Sequence, residues 1–345
     1  MKRFLIIILI LLLPFIIIIP CVNYIVDPAN VWGNGNMEDK IIEGLSKKKN
    51  VTGCGANMNE RYFKRKFSEL NANKEFEYLI LGPSRVMLIS RKTLRNDSII
   101  NLGISAAQIA EMMAFCQICK ENNIQYQKVI IGVDPTMFNP AMLDNEIWKE
   151  NTEYYYRFKG ISDNTNTHSE VSNLFSITYF KQCAQFLLKH GNWRKNIVYT
   201  DKWENTDMTR HLDGSISYPE DFRNRSQEKV DDDARNWNQA TFKGFDYIST
   251  AQIEDFTLLI DYFRKKNIEI YFFCCPYHPY FYERLCKNPV FVDAMQYVYD
   301  YANKNGINII SSYNPANAKV DNESFYDAAH LKQEAIDEIF LTLDK

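Results

Sequence analysis

Three residues of this chain carry the side chains of an activated nucleophile. Ser84 follows a short apolar run, Tyr78-Leu79-Ile80-Leu81, through Gly82 and Pro83, and Asp327 and His330 stand three apart near the far end of the sequence. A serine hydroxyl attacks a carbonyl usefully only when a base accepts its proton and a third group orients that base. Gly82 and Pro83 favour a sharp turn out of a strand, which would hold Ser84 at the carboxyl end of a sheet. An ordinary tight turn and a surface histidine would leave the same short motifs. The paired placement therefore carries the argument.

The elements that must position these residues follow from the pattern of apolar residues. Continuous apolar runs at 78–81, 98–102, 128–133, 268–275 and 307–310 read as strands buried on both faces. Between them, 106–122, 253–266, 289–303 and 332–343 have helical spacing, and Gly306 ends the third of these helices. Strands alternating with helices imply a doubly wound, mostly parallel α/β sheet. The expected organisation is an anchor over 1–25, an irregular stalk with a short helix at 60–70 over 26–75, and an α/β domain over 76–345. An insertion over about 139–250 interrupts that domain. It is rich in Asn, Asp and aromatics such as Tyr154, Tyr155, Phe175, Tyr199, Trp203 and Trp237, with one helix expected at 172–190. The aromatics suit either a packed cap or a sugar-stacking surface.

The N-terminus sets the compartment. Lys2 and Arg3 precede about nineteen uncharged residues from Phe4 to Val22, long enough to cross a bilayer as a helix. Pro14 and Pro20 are tolerable in such a helix. No small-residue cleavage site follows, so an uncleaved, single-pass anchor is expected, with its N-terminus in the cytoplasm and the remaining chain outside. The formal net charge is −3 and no basic block suggests nucleic acid; the run Lys47-Lys48-Lys49 reads as a solvated face. The eight cysteines are unevenly spaced and make a poor disulfide framework. Cys116, Cys119, Cys274 and Cys275 read as small core hydrophobes. No second Cys/His pair accompanies Cys116-x-x-Cys119, so no metal and no cofactor is expected.

Together these residues resemble the SGNH (GDSL-like) hydrolase and acyltransferase superfamily in its membrane-anchored form. Gly82-Pro83-Ser84 is similar to its nucleophile block, Asn101-Leu102-Gly103-Ile104-Ser105 to its second block and Asp327-Ala328-Ala329-His330 to its last. The likeness covers roughly 76–138 and 253–345. It implies a flavodoxin-like three-layer fold, a triad of Ser84, His330 and Asp327, and an oxyanion hole built from the Ser84 and Gly103 amides, each donor worth about 2.7–4 kcal/mol. The family's third block supplies an asparagine amide where this chain has Gly132-Val133-Asp134-Pro135. A carboxylate cannot donate there, and Asp134 is expected to turn toward Arg85. Asn101 is expected to support the site. His278, in Tyr277-His278-Pro279, would contact an acyl group or sugar, or simply sit in a turn. Arg210-His211-Leu212-Asp213-Gly214 reads as a turn with Asp-Gly at its tip, while His168 and His190 carry no signal.

The function expected is O-acyl transfer to, or ester hydrolysis from, a cell-surface or exported polysaccharide, acetyl in the first instance. The resemblance extends to alginate O-acetylation and teichoic-acid D-alanine transfer proteins, which implies a membrane acyl-donor partner. The alternative is a non-catalytic polysaccharide-binding or assembly component on a decayed scaffold.

Overall fold

The computed structural model describes residues 2–28, 32, 36–55, 58–142, 150–161, 174–189, 196–237 and 242–341, with the side chains of 2–12, 14 and 189 outside that description. In chain order the elements are α1 (Lys2–Val26), α2 (Asn36–Ser46), β1 (Asn50–Thr52), α3 (Glu60–Leu70), β2 (Glu75–Leu81), β3 (Ile99–Asn101), α4 (Ile109–Glu121), β4 (Gln125–Gly132), α5 (Thr152–Lys159) and α6 (Ile177–Lys189). There follow β5 (Val198–Thr200), β6 (Thr209–Arg210), β7 (Ile216–Ser217), α7 (Glu220–Arg223), α8 (Gln227–Asn236) and α9 (Thr250–Lys265). The chain closes with β8 (Glu269–Phe273), α10 (Pro279–Leu285), α11 (Pro289–Asn305), β9 (Asn308–Ile310), α12 (Pro315–Ala318) and α13 (Gln333–Phe340).

Five parallel strands form the central sheet in the order β3-β2-β4-β8-β9. Counted along the sheet's own strands this is 2-1-3-4-5, the flavodoxin-like order, whose switch point lies between the first and third strands. Alternate residues of each strand enter two different cores. Leu79, Leu81, Val129, Ile131 and Phe272 pack with residues of α4, α9 and α11 on one face. Ile80, Ile130, Phe273 and Ile310 pack with 86–89 and α13 on the other. This two-sided burial explains why the strands are apolar without alternation. Gly306 caps α11 in the left-handed region at φ 62°, as its sequence position implies.

The segment expected as a stalk is part of the body. Its strand β1 is the antiparallel partner of both β5 and β6, and β7 completes this second sheet in the order β5-β1-β6-β7. Ile41, Leu45, Val51, Phe63 and Phe67 are buried in the core. The polar composition of 36–70 masked this, because only one stripe of each short helix is apolar. The insertion thus closes on the N-terminal segment rather than standing apart as a cap. Among its aromatics, Tyr154, Tyr155, Tyr199 and Trp237 pack against the core, whereas Phe175 is exposed. Cys116, Cys119, Cys274 and Cys275 are buried free thiols.

Among the described residues no helix is long and apolar enough to cross a membrane. The stretch Phe4–Val22 is helical in backbone within α1, but most side chains of its first half lie outside the description.

Candidate functional site

Ser84, Arg85, Asn101, Gly103, Asp134 and His278 lie at or just beyond the carboxyl ends of β2, β3, β4 and β8, where open α/β sheets place their ligands, and Asp327 and His330 come later in the chain than β9. Ser84 opens a short 3-10 turn, Ser84–Val86, separated from β2 by Gly82 and Pro83. The turn is tight because glycines allow it. Gly82 has φ +142°, and a Cβ there would lie 2.9 Å from the Gly132 carbonyl oxygen. A Cβ on Gly132 would meet the Val86 side chain at 2.2 Å. These glycines let β4 press directly against the serine turn.

The Ser84 Oγ lies 2.7 Å from His330 Nε2. His330 Nδ1 faces both Asp327 oxygens at 3.0 and 2.9 Å. A carboxylate only accepts, so Nδ1 carries the imidazole proton and Nε2 is left to accept from the serine hydroxyl. Asp327 is itself fixed by the Ala329 and His330 amides, which donate to its Oδ1 at 2.8 Å each. Burial pushes the Asp327 carboxyl up, but His330 and these amides outweigh it and hold the group below the usual carboxylate range. The loop is closed at its base by an isolated bridge between Phe325 and Leu331 and by the Tyr326 amide donating to the His330 carbonyl at 2.8 Å. Ser84 and His330 are half-buried, so solvent reaches the pair.

Arg85 ties the serine turn to that loop. Its buried guanidinium donates to the Ala329 carbonyl at 3.1 Å, to Asp134 Oδ2 at 2.9 Å and to the carbonyls of Cys275 and Pro276. It also lies over the Tyr277 ring, 3.8 Å from the centroid. Asp134 accepts further from the Tyr277 hydroxyl and from the Thr136 amide and hydroxyl. Every lone pair of this carboxylate that faces the protein is engaged, and it points to Arg85 as its sequence position suggested.

Two expected roles change. Asn101 donates to the Val86 and Ile89 carbonyls at 2.8 Å and accepts from the Gly103 amide at 2.8 Å. The Gly103 proton is therefore committed to Asn101 and does not point at an oxyanion, because the side chain that stabilises the serine turn needs it. The Ser84 amide, first in its 3-10 turn, has no acceptor among the described residues. His278, in turn, has no exposed surface to offer an acyl group or a sugar. Its Nδ1 accepts from the Tyr280 amide at 3.3 Å, which leaves Nε2 to donate to Asp231 at 3.2 Å. Burial lowers its pKa, against the pull of Asp231. Its backbone amide donates to Ala328 at 3.1 Å, so it supports the Asp327–His330 loop from below.

The insertion supplies contacts that sequence reasoning missed. Tyr218, just after β7, meets the His330 ring edge-on with centroids 5.7 Å apart. The β6–β7 turn is docked, not free: the Asn101 amide donates to the Asp213 carbonyl at 2.8 Å, and the Arg91 amide to Asp213 Oδ2 at 2.7 Å. Beneath it, the buried Lys64 donates to the carbonyls of Asn101 and Gly214 at 2.8 and 2.6 Å. No sequence period marks Tyr218 or Lys64. The one available signal was the Asp213-Gly214 pair at the turn. His211 is buried under Trp203, the rings stacked 3.7 Å apart, while His168 and His190 lie outside the described residues.

No family model, curated protein or solved structure matches this chain.

Proposed function

We propose that this chain is a membrane-attached, extracytoplasmic serine esterase or O-acyltransferase of the SGNH type, acting on O-acyl groups, acetyl first, of a cell-surface or exported polysaccharide. The observation that carries the reading is the relay from Ser84 Oγ through His330 to Asp327, with its tautomer set by the carboxylate. Strand order and the sequence blocks support the SGNH type, and the uncharged run Phe4–Val22 supports attachment to a membrane. The polymer substrate and a membrane acyl donor rest on the resemblance.

In this reading Ser84 Oγ bonds to the ester carbonyl carbon as His330 Nε2 takes the hydroxyl proton. The carbonyl oxygen becomes an oxyanion beside the Ser84 amide. Collapse breaks the bond to the leaving oxygen, which receives the proton from His330. Water or a sugar hydroxyl then gives a proton to His330 and bonds to the acyl carbon; collapse breaks the bond to Ser84 Oγ, which takes the proton back from His330, and the choice of water or sugar separates hydrolysis from transfer. With Gly103 and Asp134 both committed, oxyanion stabilisation is smaller than the resemblance implies, and turnover is slow. That same poverty of donors favours the second reading, a polysaccharide binder on a decayed scaffold.

A fluorophosphonate probe tests the choice. The folded protein labels at Ser84, and Ser84→Ala and His330→Ala abolish labelling. Absence of labelling in protein with native circular dichroism leaves the binder reading.

A further inference from the structure

The helix α6, in the insertion, has two apolar stripes and only one of them is covered. Tyr179, Cys183 and Phe186 face the end of α1, packing with Val22 and Val26. Asn23 donates to the Leu174 and Ser176 carbonyls at 2.9 and 3.0 Å, and the Tyr179 hydroxyl donates to Asp27 at 2.5 Å. These contacts fix α6 against the point where the apolar run of α1 ends.

The second stripe has no protein over it among the described residues. Ile177 and Leu188 lie on one face at helical spacing, beside Leu187, and Phe175 precedes the helix. Leu188 is 88% exposed, Phe175 57% and Ile177 56%. The remaining face holds Thr178, Lys181, Gln182 and Gln185. A monomer in water does not leave such a stripe bare without a partner. Three observations say what that partner is. The helix packs by its other stripe on α1, where Phe15, Ile16, Ile17, Ile18 and Ile25 are exposed too. Tyr24, Trp32 and Tyr179 cluster at the junction, with centroids 5.9 and 5.6 Å apart, as amphipathic aromatics gather where a bilayer meets water. Finally, 174–200 contains no acidic residue, although the chain as a whole is acidic, and it carries Lys181, Lys189, Arg194 and Lys195 together with Trp193. An exposed apolar stripe bordered by Lys181, in a stretch whose sequence has cations and no acids, suits a helix lying in an anionic lipid interface.

We infer that α6 is a second membrane element, seated in the interface of the bilayer that α1 enters, with the phospholipid surface as its partner. The inference rests on the membrane attachment proposed above. It makes the insertion the part that holds the catalytic domain at a fixed height and tilt over the membrane, because β5, β6 and β7 continue from the same segment into the second sheet.

The test uses the full chain in vesicles of phosphatidylcholine and phosphatidylglycerol that contain a phospholipid with a photoactivatable acyl chain. Cross-linked peptides are mapped by mass spectrometry. Adducts are expected both within α1 and on 175–188. In Leu187→Glu/Leu188→Glu, two exposed positions that leave packing intact, the α6 adducts fall by about tenfold or more, the scale of losing burial of a large apolar side chain, while the α1 adducts persist. Adducts in α1 with none on α6 overturn the inference and leave the anchor standing. So do α6 adducts that the double variant does not reduce. Absence of adducts from both helices overturns the anchor reading and this inference with it.

Discussion

At the scale of single residues, Ser84, His330 and Asp327 act as one unit, and their substitutions should be far from additive. Ser84→Ala and His330→Ala are each expected to lower acetyl-esterase kcat by on the order of 10⁴-fold or more. Asp327→Asn should be roughly tenfold or more milder, since the loop amides and the Ser84 hydroxyl still hold part of the geometry. Rates on a small acetyl ester, with circular dichroism as the check on folding, measure all three. Asp134 belongs to a different mechanism. Its carboxylate is the counter-charge of buried Arg85, at 2.9 Å, and accepts from Tyr277 and Thr136 as well. Asp134→Asn therefore leaves a buried guanidinium unpaired and should cost about 3 kcal/mol of stability. It should not raise activity, because the new amide would remain turned toward Arg85. Denaturant midpoints and esterase rates of this one variant decide the matter; a faster enzyme with unchanged stability would refute the clamp.

At the scale of elements, the β6–β7 turn and α3 hold the second loop of the site in place. Gly214 has φ +85°, and a Cβ there would stand 2.3 Å from the Asn101 carbonyl oxygen. Gly214→Ala must push that strand end away, so kcat should fall together with stability, by about 1–3 kcal/mol for the strained backbone. Thermal melts and esterase rates on the same preparation check it. Lys64, below the turn, gives a pH signature. Burial pushes its amine down to about 7 from 10.5. Between those values the unfolded chain binds the extra proton and the folded chain does not, so this group adds stability as pH rises from 7 toward 10.5. Lys64→Met should abolish that slope. The measurement is the difference in unfolding free energy between wild type and variant at several pH values; a difference independent of pH would show Lys64 charged when folded.

At the scale of the whole molecule, two stretches far apart in sequence, carrying Ser84 and His330, meet at one site, and the proposed function places the N-terminal run in a membrane. Residues beyond about 25 are expected outside the cytoplasm and attached to the bilayer, because Lys2 and Arg3 precede the uncharged run. Protease added to intact spheroplasts should digest the domain, and deleting 4–22 should release it. Mature protein in the medium, starting near residue 22, would instead show a cleaved signal peptide.

The sequence by itself determined the strands and helices of the parallel sheet, since burial on both faces writes a continuous apolar run for each strand and a 3.6-residue period for each helix. It also determined that Ser84 follows a strand end, because Gly82 and Pro83 are local signals, and that Asp327 and His330 stand three apart near the far end of the chain. The pairing of Asp134 with Arg85 was readable too, as charge complementarity between two loops that follow adjacent strands. Only tertiary structure decided that β1 is shared between the N-terminal segment and the insertion, since three-residue strands carry no period. It alone decided that Gly103 gives its proton to Asn101, that His278 supports the Asp327–His330 loop, and that Tyr218 reaches His330. The first depends on which way a side chain two residues away turns, and the other two on which atom or ring lies within reach across a large separation in sequence. Residue type and local spacing do not encode that.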